Sequence, residues 1–425
     1  MNDLFEKMKK DAGPIGSHLK RAHGYFAFPK LEGELGNRMV FRGKEKIVWS
    51  LNNYLGLVNH PKSREIDAIA AKKYGLGNPM GSRMMSGNTA LHEHLEEVLA
   101  DFVSREDAMV LNFGYQGVMS CIDALVNRHD IIVFDGEAHA CLMDGVRLHI
   151  GYTYKYKHND IEDCEKQLQR ATVMAKKTGG GILIITEGVY GMSGTQGKIK
   201  EIVALKQKYN FRLLIDDAHG FGSMGPTGAG SDEEQGCQKD VDLYFSTFVK
   251  SMGSIGAFIA GPKEVIDYLR YNVRSQIYAK SLPIAVVDGM LTRMEMLKSM
   301  PELREKLWHI VNRLQSGLRE KGFDIGATNS PVTPVYMKGG LPEATNMVTD
   351  IRENYNIFCS VVVYPVIPKG EIIFRIIPTA AHTDEDVDLT LKAFEETKKK
   401  LDAGEYKAEE IPDMSDAGYL QKALA

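Results

Sequence analysis

Short apolar runs alternate with stretches of helical spacing between about residues 90 and 260. The runs are AMVLNF, DIIVFD, GILIITEG, FRLLIDDAHG, DLYFSTF and GAFIAG. In one intervening stretch, His92 to Phe102, the residues Leu95, Leu99 and Phe102 recur on one helix face. Strands that are apolar along their whole length are typical of parallel sheets covered by helices on both faces. The sequence therefore predicts an α/β fold with a large, mostly parallel sheet.

After about residue 285 the pattern becomes that of a smaller α+β domain. Residues 303–320 place five apolar side chains on one helix face: Leu307, Ile310, Val311, Leu314 and Leu318. SPVTPVYM and GEIIFRIIP are strand candidates, and a capping box from Thr383 to Asp386 opens a further helix. We predict four regions along the chain: an N-terminal arm at 1–45, a large domain at 46–285, a small C-terminal domain at 286–401 and a polar tail at 402–425.

Composition argues against several classes of protein. The 425 residues carry a net charge of −4, which is not the basic footprint of a nucleic-acid-binding protein. No apolar run approaches the roughly 20 residues that span a bilayer, and the first residues lack the apolar core of a signal peptide. The five cysteines are scattered without metal-ligand spacing. We therefore expect a cytoplasmic protein with reduced thiols, with neither a bound metal nor a nucleic-acid partner.

Two segments carry residues suited to catalysis. Asp216 ends the apolar run in FRLLIDDAHG, and a buried carboxylate is costly unless a cation accompanies it. A protonated ring nitrogen would be such a cation, with His219 three residues further on; a salt bridge or a helix cap is the alternative. Lys250 lies among small residues in STFVKSMGSIGAF. A desolvated lysine forms Schiff bases readily, whereas an ordinary lysine is solvated.

Taken together, DDAHGFGSMGPTGAG and TFVKSMG resemble the α-oxoamine synthase family of pyridoxal-phosphate (PLP) enzymes. The family patterns DEAH…GxxGxxGRG and T-x-x-K-[SA]-x-G occur here in the same order, and the resemblance extends over roughly residues 45–400. It implies the PLP-dependent transferase fold of type I. It also implies a homodimer whose two copies share their active sites.

The resemblance assigns roles to four residues around the cofactor ring. Lys250 would hold PLP as a Schiff base, and Asp216 would keep the pyridinium nitrogen protonated so that the ring can accept electrons. His219 would bind the ring hydroxyl oxygen. His139, in DGEAHACLMDG, would stack on the ring, although a histidine in such a place can also be purely structural.

The phosphate of the cofactor would be bound by two further segments. Thr247 of TFVKSMG matches the family's phosphate-binding threonine. Gly114, Tyr115 and Gln116, in LNFGYQGVMS, match its phosphate-binding turn, where backbone N–H groups at a helix start can hold an anion. For Tyr115, a plain core aromatic is the alternative.

Candidate substrate residues come from three other segments that resemble the family. Asn52 of SLNNYLGL and Arg375 of FRIIPTAAHT would bind the carboxylate of the amino acid, since arginine offers a planar, two-pronged donor. For Arg375 an internal salt bridge is the alternative. Ser82 and Arg83 of GSRMMSGNTALHEHLE would reach the site, whereas His92 of the same segment is expected to be structural.

Several positions depart from the family patterns and put the substrate in doubt. EGVYGMSG replaces the usual EG-V-[FY]-S-MDG, and QIYAKSLP replaces [ST]-[TA]-SLPP in a loop that approaches the neighbouring subunit's phosphate. Lys280 of that loop would add a charge there or point to solvent. The departures are Gly191, Ser193, Asp217, Ser246, Ala279 and Lys280.

The resemblance implies a decarboxylative condensation of an amino acid with an acyl thioester to give a 2-amino ketone. Within the family, GSRMMSGNTALHEH and STFVKSMGSIGAF most resemble segments of bacterial serine palmitoyltransferases. This resemblance predicts L-serine and palmitoyl-CoA as substrates and 3-ketodihydrosphingosine as product, the first step of sphingolipid synthesis. An acyl carrier protein could replace CoA. Other members remain open: 2-amino-3-ketobutyrate ligase, 8-amino-7-oxononanoate synthase and cysteate acyltransferase.

Methionines in or beside the site segments either line a long acyl channel or fill the core: Met80, Met84, Met85, Met119, Met143, Met192 and Met252. A lipid product would favour a peripheral contact with a membrane. Two functions of other classes remain open. A class I aminotransferase would share the fold, Asp216 and Lys250. A non-catalytic subunit would be expected to have lost Lys250.

Overall fold

The computed structural model describes residues 3–10, 24–364, 366–368 and 371–409. The predictions for residues 11–23 of the arm and 410–425 of the tail lie outside these ranges. The chain divides into two compact units, one formed by Met1–Leu51 with Leu307–Ala425 and the other by Asn52–Lys306. The domain boundaries at 45, 285 and 401 remain a prediction, because compact packing alone does not define a domain.

The helices and strands are numbered in chain order. The helices are α1 Glu6–Lys10, α2 Pro61–Tyr74, α3 Ala90–Phe102, α4 Gly114–Leu125, α5 Ala140–Leu148, α6 Ile161–Thr178, α7 Ile199–Ala204, α8 Ser231–Glu234, α9 Lys263–Asn272, α10 Arg274–Ile277, α11 Ile284–Ser299, α12 Pro301–Glu320, α13 Leu341–Asn354 and α14 Asp384–Asp402. The strands are β1 Leu31–Glu32, β2 Arg38–Phe41, β3 Lys44–Val48, β4 Asp107–Leu111, β5 Ile131–Asp135, β6 Tyr152–Tyr156, β7 Ile182–Glu187, β8 Arg212–Asp216, β9 Leu243–Thr247, β10 Ala257–Gly261, β11 Thr333–Tyr336, β12 Ile357–Phe358, β13 Ser360–Val362 and β14 Ile373–Ile376. Within the described ranges, none of these helices combines the length and the apolar character needed to cross a bilayer.

The unit Asn52–Lys306 is built around a seven-stranded sheet in the order β4-β10-β9-β8-β7-β5-β6. The pairings β9-β8, β8-β7, β7-β5 and β5-β6 are parallel, whereas β10 runs antiparallel to both of its neighbours. Each apolar run of the sequence between 90 and 260 became a strand. Apolar side chains from the strands and from α4 and α5 form one buried cluster, including Met109, Ile132, Ile185, Leu214, Phe245, Ile122 and Leu142. The α/β prediction is therefore confirmed.

Strand β6 was not predicted, and its position explains why. Among the described strands it pairs only with β5, and it forms one edge of the sheet. Tyr152, Thr153 and Lys155 are exposed, so the strand lacks the continuous apolar run of the buried strands. Edge strands are commonly polar, because exposed backbone groups at a sheet edge would otherwise invite pairing with other chains.

The other unit contains two small sheets. Their strand orders are β1-β2-β3-β12 and β11-β14-β13. All five apolar residues predicted on one face of α12 are buried, and the capping box at Thr383 is formed in both directions with Asp386. Helix α13 and strands β12 and β13 were not predicted. Residues 31–45 of the predicted arm form β1, β2 and the first two residues of β3, so part of that arm belongs to a sheet.

The fully buried guanidinium of Arg352 ties the first of these sheets to the segment before it. Its Nη1 donates to the backbone oxygen of Tyr25 at 2.5 Å, and its Nη2 donates to that of Cys359 at 2.8 Å. The guanidinium lies 3.9 Å from the ring centre of Phe358. Burial lowers the pKa of Arg352 to about 10, a cost that the carbonyl bonds and the aromatic ring offset.

Candidate active site

The predicted cofactor residues gather at one edge of the seven-stranded sheet. Parallel strands end at the same edge, and ligands of open α/β sheets bind there. Asp216 ends β8 and Thr247 ends β9. Lys250 lies three residues after β9, in a turn in which the Gly253 N–H donates to the Lys250 carbonyl at 3.0 Å. The sheet therefore brings together residues that are more than thirty positions apart in the sequence.

Asp216 is a buried carboxyl with donors on both oxygens. Its Oδ1 accepts the Ala218 N–H at 3.0 Å, and its Oδ2 accepts the Cys141 thiol at 3.8 Å. Burial raises the pKa of Asp216, whereas the Lys250 ammonium and the Ala218 N–H lower it. A cation placed against this carboxyl would lower its pKa further and would itself be held in its protonated form.

His139 caps the N-terminus of α5, where its Nδ1 accepts the Cys141 N–H at 3.3 Å. The Cys141 sulfur lies 2.9 Å from the same nitrogen. The His139 side chain is partly exposed, but the surrounding protein atoms still exclude water from much of the imidazole ring. That desolvation lowers the pKa of His139, while Asp216 opposes the shift and Lys250 adds to it. A neutral, flat imidazole is suited to lie against another ring.

His219 is held by a residue that the sequence analysis did not single out. The Tyr54 hydroxyl and His219 Nδ1 are 2.7 Å apart, and both side chains are buried. A Cβ on Gly191 would lie 2.3 Å from His219 Nε2. The glycine at 191, where the family usually has serine, therefore leaves the space that this ring occupies. Tyr54 lies within YLGL of the matched segment SLNNYLGL, so the sequence did contain a signal for it.

The two predicted phosphate segments meet. Gly114 begins α4, and a Cβ on it would lie 2.3 Å from Thr247 Cγ2, so only glycine allows this approach. The Thr247 hydroxyl is buried, and no hydrogen-bond partner for it lies within the described residues. A buried hydroxyl without a partner is costly, and a phosphate oxygen at this helix start would satisfy it.

Tyr115 and Gln116 follow Gly114 in the first turn of α4 and are both exposed. The Tyr115 hydroxyl donates to Asp144 Oδ2 at 2.5 Å, and its ring meets that of His139 edge-on with centroids 6.2 Å apart. Tyr115 is therefore not a core aromatic, and it contacts the residue expected to stack on the cofactor.

These side chains fit PLP. The buried carboxyl of Asp216 suits the ring nitrogen, and Lys250, whose charge acts on that carboxyl, suits the aldehyde. The neutral His139 suits the face of the ring, and the buried Thr247 hydroxyl, which has no partner among the described residues, suits the phosphate. The profile of the family described as aminotransferase class I and II matches residues 44–394. The chain belongs to this family.

Similarity to named proteins and to solved structures indicates the type of enzyme within this family. The chain is 60% identical over 408 residues to the cysteate-C-fatty acyltransferase of Capnocytophaga ochracea, covering 96% of this chain and 97% of that protein. It is 36% identical over 378 residues to a serine palmitoyltransferase of Bacteriovorax stolpii, covering 89% and 88%. A serine palmitoyltransferase variant from S. paucimobilis, solved with a PLP–myriocin aldimine, matches with a TM-score of 0.87 at 27% identity, covering 95% and 100%.

Within the aminotransferase class I and II family, the chain is therefore a PLP-dependent acyltransferase of the α-oxoamine synthase type. The predicted fold type, cofactor and enzyme class are confirmed. Which amino acid and which acyl thioester it uses is a separate question, because the relatives differ in their named substrates.

Asp217 and Ser246, which depart from the α-oxoamine synthase patterns, are joined by a hydrogen bond. The Asp217 carboxyl accepts the Ser231 N–H at 2.7 Å, the Ser231 hydroxyl at 2.6 Å and the Tyr244 hydroxyl at 3.0 Å. Burial raises the pKa of Asp217 to about 7. The Ser246 hydroxyl donates to the Asp217 backbone oxygen at 3.2 Å. Both departures thus have local partners and do not disturb the neighbouring Asp216.

The two predicted substrate residues of the segment GSRMMSGNTALHEHLE, Ser82 and Arg83, differ from each other in their surroundings. The Arg83 guanidinium forms a two-pronged ion pair with Glu96, at 2.8 and 3.0 Å, and its Nε donates to Asn88 Oδ1 at 2.6 Å. Ser82 and Asn52 are half-buried in the same unit. His92 is structural, as expected, since its Nε2 lies 2.8 Å from the Leu282 carbonyl and burial lowers its pKa to about 4.

Arg375 lies in the other unit, on the central strand β14 of the three-stranded sheet. It is buried, and its strand neighbours are Pro334 and Ser360. His382, from the same matched segment, stacks on Trp49 with ring centres 3.8 Å apart and planes 6° apart. That histidine therefore has a structural role, whereas the roles of Arg375, Asn52, Ser82 and Arg83 toward a substrate remain predictions.

The first prediction concerns the cofactor lysine. Lys250→Ala is expected to abolish both the visible absorption of lysine-bound PLP and overall turnover, because the variant lacks the amine that binds the cofactor covalently. Absorption spectra and steady-state assays of the purified variant measure both effects. Lys263→Ala, which removes an exposed lysine on α9, should keep the absorption. Borohydride reduction of the wild type followed by peptide mapping must place the label on Lys250; a label elsewhere contradicts the assignment.

Proposed function

We propose that this enzyme condenses L-cysteate with a long-chain acyl thioester. The α-carbon of the amino acid forms a bond to the acyl carbon, the thiol of the carrier leaves, and the carboxylate departs as CO2. The product is a 2-amino ketone bearing a sulfonate, a precursor of sulfonolipids. The observation that carries the proposal is the 60% identity to a cysteate-C-fatty acyltransferase along almost the whole of both chains.

Serine with palmitoyl-CoA, the first choice from the sequence, is the second candidate. It is favoured by the similarity to serine palmitoyltransferases, at 36% identity in sequence and a TM-score of 0.87 in structure. The lower identity makes it the weaker of the two. Both candidates use the same chemistry at the α-carbon and differ only in the side chain of the amino acid.

The chain's own residues have separable tasks in this reaction. Bound PLP supplies a conjugated, protonated ring that takes up the electron pair left at the α-carbon. Asp216 would hold the proton on the ring nitrogen, and Thr247 with the start of α4 would bind the phosphate. Neutral His139 would lie against the ring. The Lys250 amine acts as the base that removes the α-proton, and it returns a proton later.

The decisive comparison is product formation from several pairs of substrates. We expect cysteate with palmitoyl thioester to give the highest kcat/KM. Long chains should exceed acetyl, because each buried CH2 contributes about 0.8 kcal/mol. Cysteate, serine, glycine and alanine should each be assayed with palmitoyl-CoA, acetyl-CoA and palmitoyl acyl carrier protein. Highest turnover with serine would make the enzyme a serine palmitoyltransferase, and highest turnover with glycine and acetyl-CoA would make it a 2-amino-3-ketobutyrate ligase.

Arg375 is proposed to bind the α-carboxylate of the amino acid, and the resemblance to the α-oxoamine synthases assigns the same role to Asn52. Arg375→Met should weaken amino-acid binding by ten- to a hundredfold, because a charged hydrogen bond contributes about 1.5–3 kcal/mol. Arg375→Lys keeps the charge without the two-pronged geometry and should recover part of the loss. Spectral titration of the holoenzyme with cysteate measures the dissociation constant. Unchanged affinity in the methionine variant would show that another group binds the carboxylate.

We also propose that the enzyme is a homodimer in the cytoplasm. Two segments of the unit Asn52–Lys306 form one surface, because the Ser281 N–H donates to the Gly81 carbonyl at 2.9 Å and the Ile284 N–H to the Asn78 carbonyl at 2.8 Å. This 78–85/276–284 surface exposes large apolar side chains, with Met85 at 83% and Tyr278 at 81%. Such exposure is unfavourable in water, and a second copy would cover it. The five buried free thiols accord with a reducing compartment.

Dimerisation can be tested with charges placed on that surface. Met85→Glu combined with Tyr278→Glu should convert the dimer into monomers, because carboxylates would be buried at the interface. Ile150→Glu, which alters an apolar residue that is 82% exposed elsewhere, should leave the dimer intact. Sedimentation at micromolar concentration distinguishes the species. A wild-type monomer with full activity would contradict both the dimer and the placement of Lys280 near a partner's phosphate.

A further inference from the structure

A second buried carboxyl lies directly beside Asp216. Glu187 ends β7, and it is the register partner of Asp216 on the parallel strand β8. Register partners in a parallel sheet point to the same face, and neighbouring strands are about 4.8 Å apart. Both side chains are buried. The roles assigned above use Asp216, whereas Glu187, the first residue of EGVYGMSG, has none.

The contacts of Glu187 connect it to His139. Its Oε1 accepts a short hydrogen bond from the backbone N–H of His139. His139 caps α5, so this bond fixes the backbone from which the imidazole projects. The Asp216 carboxyl has other donors, the Ala218 backbone N–H and the Cys141 thiol.

Two neighbouring carboxyls in a buried setting do not both ionise at neutral pH. The charged and titratable groups that interact with Glu187 include Asp216 on β8, Lys250 after β9, Asp135 at the end of β5, His139 and Cys141 at the start of α5, and Tyr190. Burial raises the pKa of Glu187 well above its ordinary value, and the charge of Asp216 adds to this rise. The backbone N–H of His139 and the charge of Lys250 lower the pKa.

We propose that Glu187 is a positioning residue that acts as a neutral carboxylic acid. It accepts the His139 N–H, which holds the imidazole in place for the cofactor, and it carries the proton of the pair so that Asp216 alone is negative. This inference rests on the roles proposed for His139 and Asp216, but it does not depend on which amino acid is the substrate.

Glutamine and alanine substitutions separate the two properties of this side chain. Glu187→Gln keeps a neutral oxygen acceptor, so it should lose less than about threefold in PLP affinity and in kcat. Glu187→Ala should lose more than tenfold in both, since it frees the His139 backbone. The pH dependence of the holoenzyme's visible absorption should follow the wild type in the glutamine variant and shift in the alanine variant.

The control is Asp232→Asn, which neutralises a buried carboxyl bound to Arg105 at 2.5 Å on the same unit. It should lower the Tm without changing the absorption profile. A glutamine variant as defective as the alanine variant would overturn the proposal, because the negative charge would then be required. An alanine variant with normal PLP affinity and absorption would overturn it as well, because Glu187 would then position nothing.

Protonation of Glu187 can also be measured through stability. Its pKa is raised in the folded enzyme, so the folded state holds a proton that the unfolded chain releases above about pH 4.3. Stability is therefore lost as the pH rises from that value toward the folded pKa, by up to about tenfold in the unfolding equilibrium per pH unit. Glu187→Gln removes this loss, so its Tm relative to the wild-type holoenzyme should rise from pH 5 to pH 8. A difference in Tm that is constant over this range would mean that Glu187 is ionised, and the proposal would fail.

Discussion

The site depends on the burial of a carboxyl at the end of β8. Removing Asp216 from water is costly, and the structure meets that cost with the Ala218 N–H, the Cys141 thiol and the charge of Lys250. Such an arrangement is most favourable when a further cation lies against the carboxylate. The protonated nitrogen of PLP would be such a cation, and it would account for an acid rather than another apolar residue at the end of β8.

Glycines at two positions let the groups around Asp216 approach one another. At Gly114 the absence of a side chain lets the start of α4 lie against Thr247, and at Gly191 it leaves room for the His219 ring. His219 is in turn held by Tyr54. A side chain at either glycine would displace a group proposed to contact the cofactor, so these glycines set the geometry of the candidate site although they carry no reactive group.

The sequence predicted the buried strands because each is an unbroken apolar run, and it predicted α12 because its face is apolar at helical spacing. It missed β6, whose exposed edge position removes that pattern, and it missed the partnership of Glu187 with Asp216. That partnership depends on the register of β7 against β8, which a linear sequence does not display. Likewise, the Arg83–Glu96 ion pair joins residues thirteen positions apart on different segments. The sequence motifs identified candidate site residues, whereas the hydrogen-bond and ion-pair partners of those residues became visible only in the fold.

The same distinction explains why the reaction could be predicted more securely than the amino acid. The roles proposed for Asp216, His219, Lys250 and Thr247 concern the cofactor and the bonds at the α-carbon, which every α-amino acid shares. They cannot distinguish the hydroxyl of serine from the sulfonate of cysteate. That discrimination must come from residues other than these four. Identity along the whole chain includes those residues, and for that reason the 60% relative outweighs the motif-level resemblance to serine palmitoyltransferases.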